Sequence, residues 1–71
     1  MSNATTYKVT GMSCDHCERA VTAELTGVEG VSAVHAAADS GLVTVTFTGE
    51  PDDEAVREAV DEAGYELVGR A

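Results

Sequence analysis

The sequence predicts an α+β fold in the order βαββαβ, and three observations carry that prediction. Two segments, TTYKVT at residues 5–10 and LVTVTFT at residues 42–48, alternate with the period of a half-buried strand. Two others, CERAVTAEL and EAVREAVDEA, repeat apolar residues at the three-and-four spacing of an amphipathic helix. Glycine or proline stands at each change of period, at Gly11, Gly27, Gly41, Pro51 and Gly64.

Residues 5–10 are rich in β-branched and aromatic side chains, which sets Tyr7 and Val9 on one face of a first strand that Gly11 ends. A helix is expected over residues 15–25. It places Cys17, Ala20, Val21 and Leu25 on one stripe, and Gly27 suits a left-handed C-terminal cap. A weaker strand signal runs over residues 31–37, and Asp39, Ser40 and Gly41 supply the turn of a hairpin into residues 42–48. There Val43, Val45 and Phe47 point one way and Thr44, Thr46 and Thr48 the other, the strongest period-two signal in the chain. Pro51 and the acids after it open a second helix, with Val56, Ala59, Val60 and Ala63 on its apolar stripe and Gly64 closing it. Residues 65–69 remain as a short last strand with Leu67 inward. This is the ferredoxin-like arrangement, a four-stranded antiparallel sheet with two helices on one face.

A chain of 71 residues makes one domain, with its core over about residues 5–69 and no internal repeat, linker or low-complexity segment. A composition 44% hydrophobic and 24% charged is that of a folded globular protein rather than a disordered one. Thirteen acidic residues against four basic ones give a net charge of -9, a field that repels nucleic acid and anionic membrane surfaces. Neither is expected as a partner. A protein partner would present a basic patch, although acidity also serves solubility alone. The acids of the second helix, Asp53, Glu54, Glu58, Asp61 and Glu62, read first as a solvated face and second as such a docking surface. Lys8, Arg19, Arg57 and Arg70 are too few for a basic patch. With no apolar stretch behind a basic start and no long apolar run, neither a signal peptide nor a membrane span is legible, so the expected compartment is the cytoplasm, where thiols stay reduced.

Chemistry concentrates in GMSCDHC, residues 11–17, which holds both cysteines in the loop between the first strand and the first helix. The spacing lets both sulfurs approach one point as the chain turns into the helix, whose unpaired N–H groups and dipole stabilise thiolates. A structural zinc site wants four ligands, usually as two pairs. Here His16 and His35 are the remaining nitrogen donors, and His35 lies far along the chain on the solvated side of a strand, with no site role expected. A redox couple of the thioredoxin type belongs to a longer fold and commonly has proline between its cysteines, where this chain has Asp15 and His16. Asp15 and Glu18 beside the thiols disfavour the thiolates that disulfide exchange requires. Redox catalysis and a purely structural role as buried apolar residues stay as alternatives. The leading reading is a two-thiolate metal site, because soft sulfur selects Cu(I) and Cu(I) accepts two ligands where zinc prefers four. Low coordination leaves the ion open to an incoming thiolate, which suits delivery rather than storage.

With that motif in that order of elements, the chain resembles the heavy-metal-associated domain family, and within it the bacterial copper chaperones, over about residues 6–68. GMSCDHC stands for the family's GMxCxxC loop, GVSAVHA opens the second strand and AGYEL ends the second helix. The resemblance implies a non-enzymatic carrier that binds Cu(I) through Cys14 and Cys17. It further implies handover to the metal-binding domain of a copper-transporting P-type ATPase, and contact with a copper-responsive regulator. Relatives that handle zinc, cadmium or lead often carry aspartate immediately before the first cysteine, and Ser13 withholds that hard oxygen. Tyr65 occupies the loop position where bacterial chaperones tend to have tyrosine and ATPase domains phenylalanine, which favours a free-standing chaperone. Met12 is expected to pack inward beneath the loop rather than ligate. His16 is expected as a supporting donor, or as an extra ligand when several coppers bridge two copies of an otherwise monomeric chain into a homodimer. The alternatives are the N-terminal module of such an ATPase, a mercury- or zinc-binding relative and a thiol oxidoreductase. A start at Met1 and an end shortly after the last expected strand suit a complete small protein.

Overall fold

The chain folds as β1 (Asn3–Thr10), α1 (Asp15–Thr26), β2 (Val31–Ala37), β3 (Leu42–Phe47), α2 (Asp53–Glu62) and β4 (Glu66–Arg70), the ferredoxin-like order expected from the pattern. The computed structural model describes residues 3–12 and 15–71, with Asp15 described in its backbone alone. The strands lie in the order β2-β3-β1-β4, and every neighbouring pair is antiparallel.

Register decides which side chains meet the helices. Tyr7 stands opposite Val43, and Val34 opposite Val45, on the face that α1 and α2 cover. Thr6 opposite Thr44 and His35 opposite Thr44 lie on the other face, where the Thr6 and Thr44 hydroxyls meet at 3.2 Å. Val21 and Leu25 of α1 and Val56, Ala59 and Val60 of α2 close the core over Val9, Val45 and Phe47. All buried side chains among the described residues are apolar or, at Tyr7, amphipathic.

The observed ends differ from the expected ones where hydrogen bonds outweigh propensity. β1 begins at Asn3 rather than residue 5, because Asn3 pairs opposite Phe47 and its Nδ2 donates to the Gly49 carbonyl at 2.7 Å. Gly27 is not the left-handed cap the sequence suggests. Instead α1 ends in a tightened turn, with Gly27 N–H donating to Glu24 O at 3.2 Å and Val28 N–H to Leu25 O at 3.0 Å, and the chain reverses at Gly30 with φ +90. Tyr65 stands before β4, which runs on to Arg70.

Helix α2 is capped at both ends. Asp52 Oδ1 accepts the Ala55 N–H at 3.1 Å, and Asp53 and Glu54 complement the dipole in the first turn. At the other end Gly64, with φ +91, donates to Asp61 O at 3.0 Å while Tyr65 N–H reaches back to Val60 O at 3.1 Å. That pair of bonds is the Schellman motif, and it fixes where Tyr65 leaves the helix.

Asp53 is exposed, as expected of a solvated acid, and it also holds two partners. Tyr7 Oη donates to Asp53 Oδ1 at 2.6 Å, and Arg70 Nη2 donates to the same oxygen at 3.0 Å, joining β1, α2 and β4. Burial first, and then the bond to the Asp53 carboxylate, push the Tyr7 hydroxyl from its ordinary 10.0 to about 12. The bond from Tyr7, followed by that from Arg70, holds Asp53 below its ordinary 3.8. The signs follow from which state holds the proton. Between pH 10 and about 12 the unfolded chain ionises Tyr7 while the folded chain keeps it neutral, so stability is full below this window and falls as pH rises through it. The contribution of Asp53 is present above its ordinary value of 3.8 and is lost as pH falls below it. Denaturant midpoints measured across pH are expected to show the alkaline fall in the wild type. Tyr7→Phe flattens that limb, and an unchanged limb in the variant rejects the assignment.

Candidate metal centre

The loop between β1 and α1 lies at the end of the sheet that also carries the β2–β3 turn and the α2–β4 connection, because the antiparallel register brings Thr10, Glu66, Leu42 and Ala37 to that end. Gly11 opens the loop with φ +94, a conformation that costs any other L-residue about 1–2 kcal/mol. A Cβ there would stand 3.1 Å from Cδ1 of Tyr65, so the tyrosine ring lies directly on the glycine backbone. Gly11→Ala is therefore expected to lower unfolding free energy by about 1–2 kcal/mol in denaturant melts. A loss within error would mean that the loop relaxes without strain.

Met12 is buried in the core cluster, and this thioether fills space beneath the loop. Cys17, on the first turn of α1, is half-buried and packs against the same cluster, as its place on the apolar stripe predicts. His16 beside it is exposed. Ser13 and Cys14 lie outside the described residues. The structure thus gathers Gly11, Met12, Cys17 and Tyr65 at one end of the domain, and it places His35 on the uncovered face of the sheet, exposed.

Glu18 behaves differently from its reading as a free charge beside the thiols. Its Oε2 accepts the backbone N–H of Ala38 at 2.6 Å, so the carboxylate turns to the β2–β3 connection. No local pattern announces a bond across 20 residues of sequence. The acids of α2 that remain, Glu54, Glu58, Asp61 and Glu62, are exposed. Among the described residues here, the Cys17 thiol is a soft donor that suits a soft metal, the exposed His16 imidazole beside it is a nitrogen donor, and the Met12 thioether is taken up by the core.

Comparison with known proteins places these residues in context. The model of the heavy-metal-associated domain matches residues 6–66. The copper chaperone CopZ of Staphylococcus saprophyticus is 39% identical over 67 residues, covering 87% of this chain and 93% of the chaperone. Copper-transporting ATPase 2 of Rhizobium meliloti is 39% identical over 62 residues, covering 87% of this chain but 8% of the ATPase. Among solved structures, a CopZ metallochaperone superposes with a TM-score of 0.86 at 28% identity, covering 93% of this chain and 100% of that one. No helix among the described residues is long and apolar enough to cross a membrane.

Proposed function

The chain belongs to the heavy-metal-associated domain family, and from that premise we propose that it is a cytoplasmic, non-enzymatic Cu(I) carrier that holds its ion between Cys14 and Cys17. The observation that carries the reading is the match over 87% of its length to a copper chaperone of which it covers 93%, with positions 14 and 17 both inside the span that the family model matches. The physical argument agrees with it. Two thiolates satisfy Cu(I) and leave it open on one side, while Met12 is occupied in the core. Cys17 near the start of α1 has the helix dipole to favour its thiolate.

Transfer then proceeds by associative exchange. A thiol of the acceptor loses its proton and bonds to the ion before one resident sulfur departs. The departing sulfur takes up a proton, so charge and protons balance and the metal is never free. The acceptor is the metal-binding domain of a copper-transporting P-type ATPase, and a copper-responsive regulator is a second recipient. The acidic surface, with a net charge of -9, fits an acceptor with a basic docking face.

A second reading, that this sequence is a module of a transport ATPase, is favoured by its equal 39% identity to the Rhizobium meliloti ATPase. Tyr65 against Gly11 supports the carrier reading, since tyrosine is the residue expected there in free-standing chaperones.

The test is competition of the reduced protein against a chromophoric Cu(I) chelator, with zinc in parallel. One Cu(I) per monomer, retained against excess zinc, supports the reading. Retention of zinc in preference to Cu(I), or disulfide reductase turnover without copper, overturns it.

A further inference from the structure

We propose that Glu18 is a positioning residue for the metal loop, tying the first turn of α1 to the β2–β3 connection so that Cys17 keeps a fixed place. The inference rests on Cys17 being a copper ligand as proposed above.

The loop of residues 11–14 is bounded by the end of β1 and the start of α1, and one element of the fold grips both boundaries. On the β1 side, Val9 N–H donates to Gly41 O at 2.8 Å, and a Cβ on Gly41 would stand 3.0 Å from Val9 O, so the turn and the strand are in close contact. On the α1 side, the Glu18 carboxylate accepts the Ala38 N–H at 2.6 Å. The turn is itself closed by Gly41 N–H donating to Ala37 O at 2.9 Å. Residues 38–41 therefore act as a brace that links the end of β1 to the first turn of α1.

The helical half of that brace depends on one side chain. Glu18 and Ala38 are both half-buried, and Ala38 packs against the core, so the bond is partly shielded from water and its length is that of a charge-assisted contact. Glu18 directly follows Cys17. Holding its carboxylate on the turn fixes the backbone that carries the thiol, and it also commits the negative charge to an N–H group instead of leaving it to face the sulfur. Positioning and charge make opposite predictions. Removing a free carboxylate beside a thiolate favours metal binding, whereas removing a brace weakens it.

Three substitutions separate them, read by Cu(I) competition against a chelator, by amide exchange at Ala38 and by iodoacetamide alkylation of Cys17 in a Cys14→Ser background. Glu18→Ala is expected to speed exchange at Ala38, to accelerate alkylation several-fold and to weaken Cu(I) binding about tenfold, or about 1.4 kcal/mol. Glu18→Gln keeps an acceptor oxygen at the same reach and restores most of all three. Glu18→Asp is one methylene too short and behaves like Glu18→Ala. Tighter copper binding in both the alanine and glutamine variants, or unchanged exchange at Ala38 in the alanine variant, overturns the proposal. If the wild type takes up no copper, the carrier reading fails, and the exchange and alkylation readouts still decide whether Glu18 positions Cys17.

Discussion

Replacing either cysteine of the loop by serine is expected to weaken Cu(I) binding by about two to three orders of magnitude. Structural zinc sites draw about 10–16 kcal/mol from four ligands, so one thiolate is worth about 2.5–4 kcal/mol, which converts to roughly 10²–10³ in affinity. A hydroxyl is a hard, protonated donor at neutral pH and does not replace that loss. Nor does the other sulfur of the motif step in. The Met12 thioether is buried in the core, and drawing it out would expose apolar surface and open a cavity beneath the loop. Cys17→Ser touches the core as well, so circular dichroism melts of the metal-free protein belong beside the titration. The metal-free variants are expected to stay folded, within about 1 kcal/mol of the wild type. A folded Cys14→Ser or Cys17→Ser protein that holds Cu(I) as tightly as the wild type would exclude the dithiolate site.

Much of this fold could be read from spacing alone, because its central strands and both helices bury one face each. Val43, Val45 and Phe47 alternate with threonines, and all three are buried in the structure. Val56, Ala59 and Val60 recur at helical spacing and are buried as well. What could not be read depends on partners distant in sequence. Tyr7 looks like an ordinary strand residue, yet its hydroxyl finds Asp53 across 46 positions, and Asp53 looks like a solvated acid until Arg70 and Tyr7 converge on it. Gly27 and Gly64 both follow a helix, and local sequence does not say which reverses the chain. Gly64 does so because Tyr65 can reach back to Val60, whereas after α1 the reversal is deferred to Gly30, at the entrance to β2. In the loop, the motif named its residues but not their supports. Gly11 was legible as a strand breaker, while its role as the seat of the Tyr65 ring required the three-dimensional approach of 3.1 Å.

The second large effect belongs to the core at the far end of the helix that carries Cys17. Leu25 is fully buried, and it lies eight residues beyond Cys17 on α1, about 12 Å along the axis at 1.5 Å per residue. Alanine has the highest helix propensity, so Leu25→Ala leaves the helix content of α1 favoured and isolates the packing loss. That loss is about 2–5 kcal/mol for a buried leucine, while a core in a domain of this size rarely supplies more than about 3–5 kcal/mol in total. The metal-free variant is therefore expected to be largely unfolded at 25 °C by circular dichroism. Val68→Ala, at the one large apolar side chain exposed among the described residues, serves as the control and should shift stability by no more than about 0.5 kcal/mol. Metal binding to the folded form opposes the loss by mass action, by about 4 kcal/mol at a free concentration a thousand times the dissociation constant, less whatever the unfolded thiols bind. Cu(I) is thus expected to restore the helical signal of Leu25→Ala without touching the substituted site, and to fail to do so once Cys17 is also serine. A metal-free Leu25→Ala protein as stable as the wild type would show that this core tolerates the cavity. Refolding of the double variant at the same copper concentration would show that the stabilising ion does not need Cys17.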